Sequence, residues 1–331
     1  MDMHVADGPE SPGWPLRTVH PHGPLFRLLS LPLRRHLLFA RTFGRWGDFR
    51  NPTTYSEKMQ WRIINDRRAI VGMSCDKLAS KEYAREVALS AGVNLEVPTT
   101  YWVGTDVREL QAMAGNLPVR WVLKPNHTSG RYALIDADRS AVDWERLQSL
   151  GQKWIQRDEE ELGLGHWGYS VARHLLFAEE RIGSHESPTT IRGFTTNGEP
   201  RWFNADVGFK PNKRRWRHNA GFERFHGTSD ADRSTGIPSP IEQLGDTGRA
   251  TLRGIVSALG REFDFQRCDL FVHDGRFWFG EFSTYAQGGI GRSVTARDEA
   301  VASTWTLPRN GETSSERQRF WSMLQASPRL G

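Results

Sequence analysis

The pattern of apolar and polar positions predicts helices in the first third of the chain and β-hairpins in the second half. Apolar residues recur with helical spacing over 55–70 and 76–90, and a further helix is predicted over 241–259. Short β-type runs flank two tight-turn dipeptides, Asn-Gly at 197–198 and Asp-Gly at 274–275. These elements predict an α+β fold with antiparallel hairpins and argue against a doubly wound parallel sheet.

The first 50 residues form a predicted N-terminal extension of two parts. Residues 1–24 contain several prolines and glycines and are expected to be a loose leader. Residues 25–46 combine leucine and phenylalanine with arginine, and Pro32 is expected to break this run into two pieces. Such a segment suits a helix on an anionic membrane surface or a helical hairpin packed on the main body with its arginines in solvent. The packed hairpin is the favoured interpretation.

Composition excludes several classes of protein. With 37% hydrophobic and 11% aromatic residues among 331, the chain can bury a sizeable core and is not disordered. No stretch approaches the roughly 20 apolar residues of a membrane span. Two cysteines cannot build a disulfide framework or a zinc site. The N-terminus lacks the pattern of a signal peptide, so we expect a cytoplasmic location.

The charge is positive but modest, and arginine carries nearly all of it. The sequence has 44 Lys+Arg and 39 Asp+Glu, a net charge of +5, and only seven of the 44 are lysines. No zinc finger or RNA-binding signature accompanies the high pI, so no nucleic-acid partner is expected. Because lysine is so rare, each lysine is a candidate for a task that needs a compact ammonium group.

Two carboxylates and an arginine are expected to meet on the second predicted hairpin. Arg267 and Asp269 lie two residues apart and therefore on one face of their strand. In a hairpin that turns at Asp-Gly, Asp269 lies nearly opposite Glu281, and Ser283 could add a third oxygen. Such a patch can bind Mg²⁺ that bridges nucleotide phosphates. A surface ion cluster across the two strands is the alternative.

Two of the rare lysines lie at places suited to phosphate. Lys124 ends a β-type run just before the small polar turn 125–130, and the backbone of such a turn can meet a phosphate. Lys77 begins a predicted helix directly after Asp76. For Lys77 an ordinary helix-surface charge is the alternative interpretation.

Motifs between residues 51 and 292 resemble, in order, those of the TupA-like branch of the ATP-grasp amidoligases. The most specific are NPTTYSEKMQW at 51–61, DKLASK at 76–81, VLKPNHTSG at 122–130 and FGEFSTY at 279–285. The resemblance implies an ATP-grasp fold, in which two α+β subdomains clasp ATP, here with a helical N-terminal extension.

The resemblance also implies a division of the chain and a set of site residues. The expected parts are an extension (1–50), a substrate region (51–120), a small ATP-grasp subdomain (121–185) and a large one with a C-terminal tail (186–331). The implied cofactors are ATP and Mg²⁺. The implied ATP-binding residues are Lys77, Lys124, Ser129, Gly130, Glu179, Glu180, Ile182 and Glu186. The implied metal ligands are Asp269, Glu281 and Ser283, the catalytic residues Arg267, Arg214 and Gly288, and the substrate-binding residues Arg192, Arg214 and Gly289.

Several positions depart from the family pattern. Ser283 replaces the asparagine of much of the superfamily, although this branch usually has threonine, another hydroxyl. In the phosphate loop, Thr128 and Arg131 stand where the family has glycine. The resemblance implies that 179–182 is the hinge whose backbone reads adenine; after this hinge, Thr190 replaces an acid, whereas Arg192 keeps the expected cation. The ATP side therefore matches the family better than the substrate side.

The densest basic run lies at 210–218, where the family has a shorter basic loop, and Arg214 aligns with the arginine of that loop. One interpretation is a mobile loop that closes over ATP or an anionic substrate. The other is a solvated surface loop.

The predicted function is an ATP-dependent carboxylate–amine ligase that works through an acyl phosphate. Its expected partners are ATP, a small carboxylate and an amine, such as an amino acid, a peptide or a uronic acid, for a cell-envelope or natural-product peptide-like substrate. One alternative is an ATP-grasp kinase that phosphorylates a small molecule. A second is an adaptor that binds a membrane surface or nucleic acid through 25–46 and 210–218.

Overall fold

A computed structural model of the chain shows an α+β architecture built on two antiparallel sheets. It describes residues 3–7, 24–137, 141–156, 163–183, 189–208, 212–225, 236–291 and 295–331. The predicted α+β class with antiparallel hairpins is confirmed.

Ten strands in the described stretches form two five-stranded sheets. The strands of the first sheet are β1 His4–Asp7, β2 Thr100–Gly104, β3 Arg120–Pro125, β4 Arg131–Asp136 and β5 Leu176–Glu180. Those of the second are β6 Thr189–Thr196, β7 Glu199–Val207, β8 Arg214–Asn219, β9 Phe265–His273 and β10 Arg276–Phe282. The spatial orders are β1-β4-β3-β5-β2 and β10-β9-β6-β7-β8, with antiparallel neighbours throughout.

Helices cover the outer faces of these sheets. The first group is α1 Pro24–Leu28, α2 Leu31–Phe43, α3 Tyr55–Asn65, α4 Ala69–Cys75, α5 Lys77–Ala91 and α6 Val107–Ala112. The second is α7 Trp144–Trp154, α8 Trp167–Val171, α9 Pro240–Gln243, α10 Gly245–Gly260, α11 Thr295–Ala302 and α12 Ser314–Gln325. Two 3₁₀ turns lie at Ala114–Asn116 and Ala286–Gly289. None of the described helices is long and apolar enough to cross a membrane.

Each sheet buries one face under helices. In the first sheet, alternate residues such as Trp121 and Ile135 pack into one core with α6 and α7. In the second, Ile191 and Leu270 belong to a larger core that includes α5 and α10. Because side chains alternate along a strand, the intervening residues point to the opposite faces. Those faces form the walls of a cleft between the sheets.

The N-terminal extension differs from its prediction in two respects. The expected loose leader contains β1, which pairs with β4 at the edge of the first sheet. The run 25–46 folds into α1 and α2, and α2 packs on α3, as the packed-hairpin interpretation proposed. The expectation that its arginines lie in solvent is wrong for Arg35, which is 0% exposed. Arg35 donates instead to Gln60 Oε1 at 2.6 Å and to the carbonyl oxygens of Leu164 and Gly288.

The described residues form two hydrophobic cores. One core joins residues between 55 and 87 to residues between 191 and 324. The other contains residues between 102 and 178 and includes Trp102 of β2, which lies at the edge of the first sheet. Two predicted helices are also interrupted: 55–70 is α3 and α4, and 241–259 is α9 and α10.

Local sequence signals place the two elements that matter most for the site. Helix α5 begins at Asp76, whose side chain accepts a hydrogen bond from Ala79 N, and ends at Gly92 in the left-handed conformation. The β9–β10 hairpin turns at Asp274 and Gly275, which both have positive φ, as a two-residue type I′ turn requires.

A buried ion network fixes the start of β9 to the helices. The carboxylate of Asp264 accepts from Arg62 at 2.7 Å, from Arg68 at 2.5 Å and from Trp305 Nε1 at 2.6 Å. Substituting Asp264→Ala leaves the buried guanidinium group of Arg62 and the partly buried one of Arg68 without this partner, so we expect the free energy of unfolding to fall by about 3 kcal/mol or more. Urea denaturation followed by circular dichroism measures this change.

The matched control is Asp246→Ala, which removes a carboxylate that pairs with Arg249 at the surface. Its denaturation midpoint should stay close to that of the wild type, because water already solvates this pair. Equal midpoints for the two variants would contradict a structural role of the Asp264 network.

Candidate functional site

A cleft of about 270 Å³ lies between the two sheets and brings together residues from five distant parts of the chain. Its lining combines apolar walls with an unusual density of charge. The residues that line it are Lys77, Val122, Lys124, Gly130, Arg131, Tyr132, Leu134, Glu179, Glu180, Arg181, Ile182, Thr190, Arg192, Asp206, Gly208, Lys213, Asp269, Phe271, Gly280 and Glu281. Nine of the predicted site residues are among them.

Lys124 and Glu179 meet on the wall formed by the first sheet. Strands β3 and β5 pair with Val122 opposite Glu179 and Lys124 opposite Phe177, so Lys124 and Glu179 share one face as diagonal neighbours. Lys124 Nζ donates to Glu179 Oε1. Burial by itself raises the pKa of Glu179, but the ammonium groups of Lys124 and Lys81 outweigh it and lower the value to about 2. Glu179 is therefore ionised, and the pair is charged.

Lys77 reaches the same wall from the start of α5. Its Nζ donates to the carbonyl oxygens of Pro125, at 3.1 Å, and of Thr128. Burial lowers the pKa of Lys77, and the nearby carboxylate of Glu281 acts in the opposite direction. The ammonium group thus lies between the turn after β3 and the acidic side of the cleft.

Asn126 fixes this turn to α5. Its Oδ1 accepts from Leu78 N at 2.8 Å, and its Nδ2 donates to Asp76 Oδ2 at 2.7 Å. At the other end of the turn, Gly130 has a φ of 70°, which favours glycine. The turn is thereby held against the N-terminal end of the helix that carries Lys77.

The hairpin of the opposite wall brings together the two carboxylates and the arginine that the hairpin pattern predicted. In the observed register Asp269 pairs directly with Glu281. Arg267 donates through Nε and Nη2 to the two oxygens of Asp269, both at 2.7 Å. Burial alone would lower the pKa of Arg267, but Asp269 reverses this and raises it above the usual value. A bulge at Gly280 brings the strands so close that a Cβ there would lie 2.8 Å from Asp269 O.

The donor set suits Mg²⁺. Among the described residues no group of three His, Cys, Asp or Glu side chains could hold a metal ion. Mg²⁺ needs fewer protein ligands, because it retains waters and binds through one or two carboxylates plus substrate phosphates. Asp269 and Glu281, opposite each other and open to the cleft, provide such a pair.

A cluster of charged side chains around Asp206 was missed by the sequence analysis. Asp206 on β7 is buried and accepts from Arg215 Nε at 2.7 Å, from Lys213 Nζ at 2.6 Å and from Arg192 Nη1. Arg192 also donates to Asp269 Oδ2 at 3.2 Å, which connects this cluster to the hairpin. Asp206 is the diagonal neighbour of Arg192 across the predicted Asn-Gly hairpin, so the hairpin register could have pointed to this contact. The rarity of lysine could have directed attention to Lys213.

Three apolar side chains are part of the cleft lining: Val122, Leu134 and Phe271. Val122 pairs with Leu134 on β4 and with Glu179 on β5, and the Phe271 ring lies 5.8 Å from Lys124 Nζ. Glu180 N donates to Thr99 O at 2.8 Å, and Glu180 Oε2 accepts from Thr99 N at 3.1 Å. This region can accept a flat, weakly polar group beside the backbone of the predicted hinge.

Other predicted site residues lie away from the lining. Ser129 is absent from it although its neighbour Gly130 is present. Ser283 is absent as well, and its backbone N donates to Arg267 O at 2.9 Å, next to the last pair of the β9–β10 hairpin. Glu186 lies outside the described residues. Arg214 begins β8 on the face of Trp216, so that its neighbour Arg215, not Arg214, contacts Asp206.

The turn at Gly288 and Gly289 is packed against the N-terminal helices. Gly288 O accepts from Arg35 Nη2 at 2.5 Å, and Gly289 O accepts from Gln60 Nε2 at 2.9 Å. Gly289 has a φ of 66°, and a Cβ there would lie 2.5 Å from Met59 Cγ. Glycine is therefore required at this position by packing.

Comparisons with known proteins give no relative by sequence and several likenesses by structure. No family model and no curated protein matches the chain. An ATP-grasp ligase, PsnB, complexed with minimal precursor, is 11% identical over 77% of this chain and 62% of that chain, with a TM-score of 0.36. The ADP complex of an N5-carboxyaminoimidazole ribonucleotide synthetase is 12% identical over 64% of this chain and 45% of that chain, with a TM-score of 0.39.

An L-amino acid ligase from Bacillus licheniformis is 15% identical over 80% of this chain and 50% of that chain, with a TM-score of 0.38. The matched part therefore spans between 45% and 62% of the length of these three proteins.

Proposed function

We propose that the protein is an ATP-dependent ligase of the ATP-grasp kind, which joins a carboxylate to an amine through an acyl phosphate. One observation carries the proposal: Lys77 and Lys124 on one wall of a single cleft face the carboxylates of Asp269 and Glu281, together with Arg192, on the other wall. This arrangement surrounds a polyphosphate with ammonium groups on one side and leaves two carboxylates on the other for its metal ion.

The nucleotide is proposed to lie along the cleft with its base against the apolar residues of the lining. Val122, Leu134 and Phe271 would contact the faces of adenine, and the backbone between Glu179 and Ile182 would read its edge. Lys77 and Lys124 would bind the phosphates. Ser129 and Gly130 would approach the phosphates through the turn backbone, and Glu186 would bind the ribose hydroxyls.

Asp269 and Glu281 would hold Mg²⁺, with Ser283 as a further oxygen. When bound there, the ion would offset negative charge on the phosphates. Arg267 orients Asp269 through its two hydrogen bonds. The same guanidinium group would stabilise negative charge near the reacting centre.

The proposed reaction needs no side-chain nucleophile. A carboxylate oxygen of the substrate attacks the γ-phosphorus, the bond to the ADP oxygen breaks, and an acyl phosphate forms. The amine nitrogen then attacks the acyl carbon, phosphate leaves with the C–O bond electrons, and the amine loses a proton to solvent. Arg267 and Arg192 would offset the charge that develops in these steps, which is the main task of the protein in phosphoryl transfer.

The substrate side is proposed to lie between the Asp206 cluster and the turn at Gly288 and Gly289. Arg192 and Lys213 supply positive charge there for the substrate carboxylate, and Arg214 belongs to the same basic segment. We propose a small carboxylate and an amine, such as an amino acid or peptide for a cell-envelope or natural-product substrate. We also propose a cytoplasmic location, where ATP and Mg²⁺ are supplied.

The decisive experiment pairs amino acids with carboxylates and measures ADP release. A ligase releases ADP and free phosphate together and only when both partners are present, and mass spectrometry identifies an amide. A product that retains the phosphate would show a kinase instead. ATP binding without ADP release for any pair would argue against both the ligase and the kinase activity. Absence of ATP binding would overturn the ATP-grasp assignment itself.

A further inference from the structure

Three buried charged groups form a chain behind the phosphate end of the cleft. Glu179, only 3% exposed, receives Lys124 Nζ on Oε1 and Lys81 Nζ on Oε2, the latter at 2.5 Å. We call Lys81, Glu179 and Lys124 the Glu179 triad. Two of its members line the cleft, whereas Lys81 does not.

The ammonium group of Lys81 makes all of its contacts within the protein. It is 2% exposed, and its Nζ also donates to Pro98 O and to Thr100 Oγ1, both at 3.0 Å. It lies one turn after Lys77 on α5, so a single helix sends one lysine into the cleft and the next behind it. Lys81 can therefore affect a ligand in the cleft only through Glu179.

The charges of the triad explain why a second lysine is needed. A buried carboxylate requires a counter-ion, and if Lys124 were the sole partner of Glu179 it would be bound to that task. With Lys81 on the other oxygen, the triad carries a net positive charge. Two of the three Nζ protons of Lys124 remain for a phosphate.

We propose that Lys81 is a positioning residue for nucleotide phosphates: it satisfies Glu179 and thereby leaves Lys124 available to bind them. The proposal rests on the proposed function, because it assumes that phosphates bind at Lys124. Burial favours loss of the proton from Lys81, and Glu179 opposes that loss, so the lysine and the carboxylate depend on each other for their charge.

The test measures nucleotide affinity directly and needs no knowledge of the other substrates. In Lys81→Met, Glu179 competes with phosphate for Lys124, and we expect ATP to bind about tenfold more weakly, a charge-pair effect of about 1.4 kcal/mol. Adenosine, which lacks phosphate, should bind as in the wild type. Isothermal titration of the full chain with ATP and with adenosine gives both values.

A second substitution separates positioning from simple damage. In the double variant Lys81→Met/Glu179→Gln no carboxylate competes for Lys124, so ATP affinity should recover by at least about threefold relative to Lys81→Met, since coupled pairs are not additive. Arg85→Met is the matched control for the loss of one cation from α5, because Arg85 pairs with Glu82 rather than Glu179. It should leave ATP affinity near that of the wild type.

Several outcomes would overturn the inference. They are unchanged ATP affinity in Lys81→Met, an equal loss for adenosine, or no recovery in the double variant. If Lys81→Met does not fold, Thr100→Val deletes just one acceptor of Lys81 and should weaken ATP about twofold while sparing adenosine. If the wild type itself does not bind ATP, the proposed function fails, whereas wild-type binding with an inert Lys81 refutes only the inference.

Discussion

Substitution of Glu281 by glutamine is expected to reduce amine-dependent ADP release by about a thousandfold or more, because a metal that offsets phosphate charge contributes several kcal/mol to such reactions. Glu281 lies directly opposite Asp269 in the hairpin, and both line the cleft. Glutamine keeps the shape of the side chain and removes the charge that Mg²⁺ requires. The measurement is coupled-enzyme detection of ADP with a substrate pair found by screening.

The matched control is Asp274→Asn at the tip of the same hairpin. Asp274 is exposed and has a positive φ of 48°, which asparagine also accepts. This variant removes the same charge from the same hairpin and should turn over as the wild type does. If Glu281→Gln turned over within tenfold of the wild type, Glu281 would not be a ligand of the catalytic metal ion.

The thermal stability of Glu281→Gln should stay close to that of the wild type, so that lost activity is not lost fold. Binding of adenosine, which has no phosphate to share with a metal, should also be unchanged. A variant that binds neither ATP nor adenosine would show that Glu281 supports the cleft as a whole.

Local signals explain why the hairpin side of the site could be predicted from the sequence. The Asp-Gly turn sets the register of β9 and β10 near the tip, and strand alternation places Arg267 and Asp269 on one face. These steps depend on residues close together in the chain, and they predicted Glu281 nearly opposite Asp269. The turn register alone would pair Asp269 with Gly280, and the bulge at Gly280, which the sequence analysis did not predict, makes Glu281 the direct partner.

The contacts of the lysine wall depend on residues far apart in the chain. Lys124 and Glu179 come together because β3 pairs with β5, and no local pattern specifies that pairing. Periodicity within a single element contains no information on it. Asp206 and Arg192, in contrast, are diagonal neighbours across the predicted Asn-Gly hairpin, so their contact is local and could have been inferred from the sequence.

The N-terminal extension illustrates a second limit. Amphipathic spacing indicated that 25–46 is helical and packed, but it could not show that Arg35 enters the interior. That choice depends on carbonyl acceptors at Leu164 and Gly288, which lie more than 120 residues away in the chain. An arginine on a predicted helix is ordinarily assigned to solvent. Arg35 is buried instead, because the folded chain brings these distant carbonyl oxygens within hydrogen-bonding distance of its guanidinium group.

Arg267→Met is expected to separate chemistry from nucleotide binding. Arg267 belongs to the acidic wall, and its guanidinium group binds both oxygens of Asp269 rather than lining the cleft beside the phosphate turn. Its proposed task is to offset charge at the reacting phosphoryl group, which exists only during the reaction. The expected result is a fall in kcat for ADP release by about a thousandfold, with the Kd for ATP within about threefold of the wild type.

Two further variants make this result specific. Arg267→Lys keeps the charge but cannot form the two parallel hydrogen bonds to Asp269, so its kcat should lie between those of Arg267→Met and the wild type. Arg276→Met removes an exposed arginine from the same hairpin, where it pairs with Glu96, and should leave kcat unchanged. If Arg267→Met instead raised the Kd for ATP and kept kcat, the guanidinium group would act in nucleotide binding, and the charge-offsetting role would be wrong.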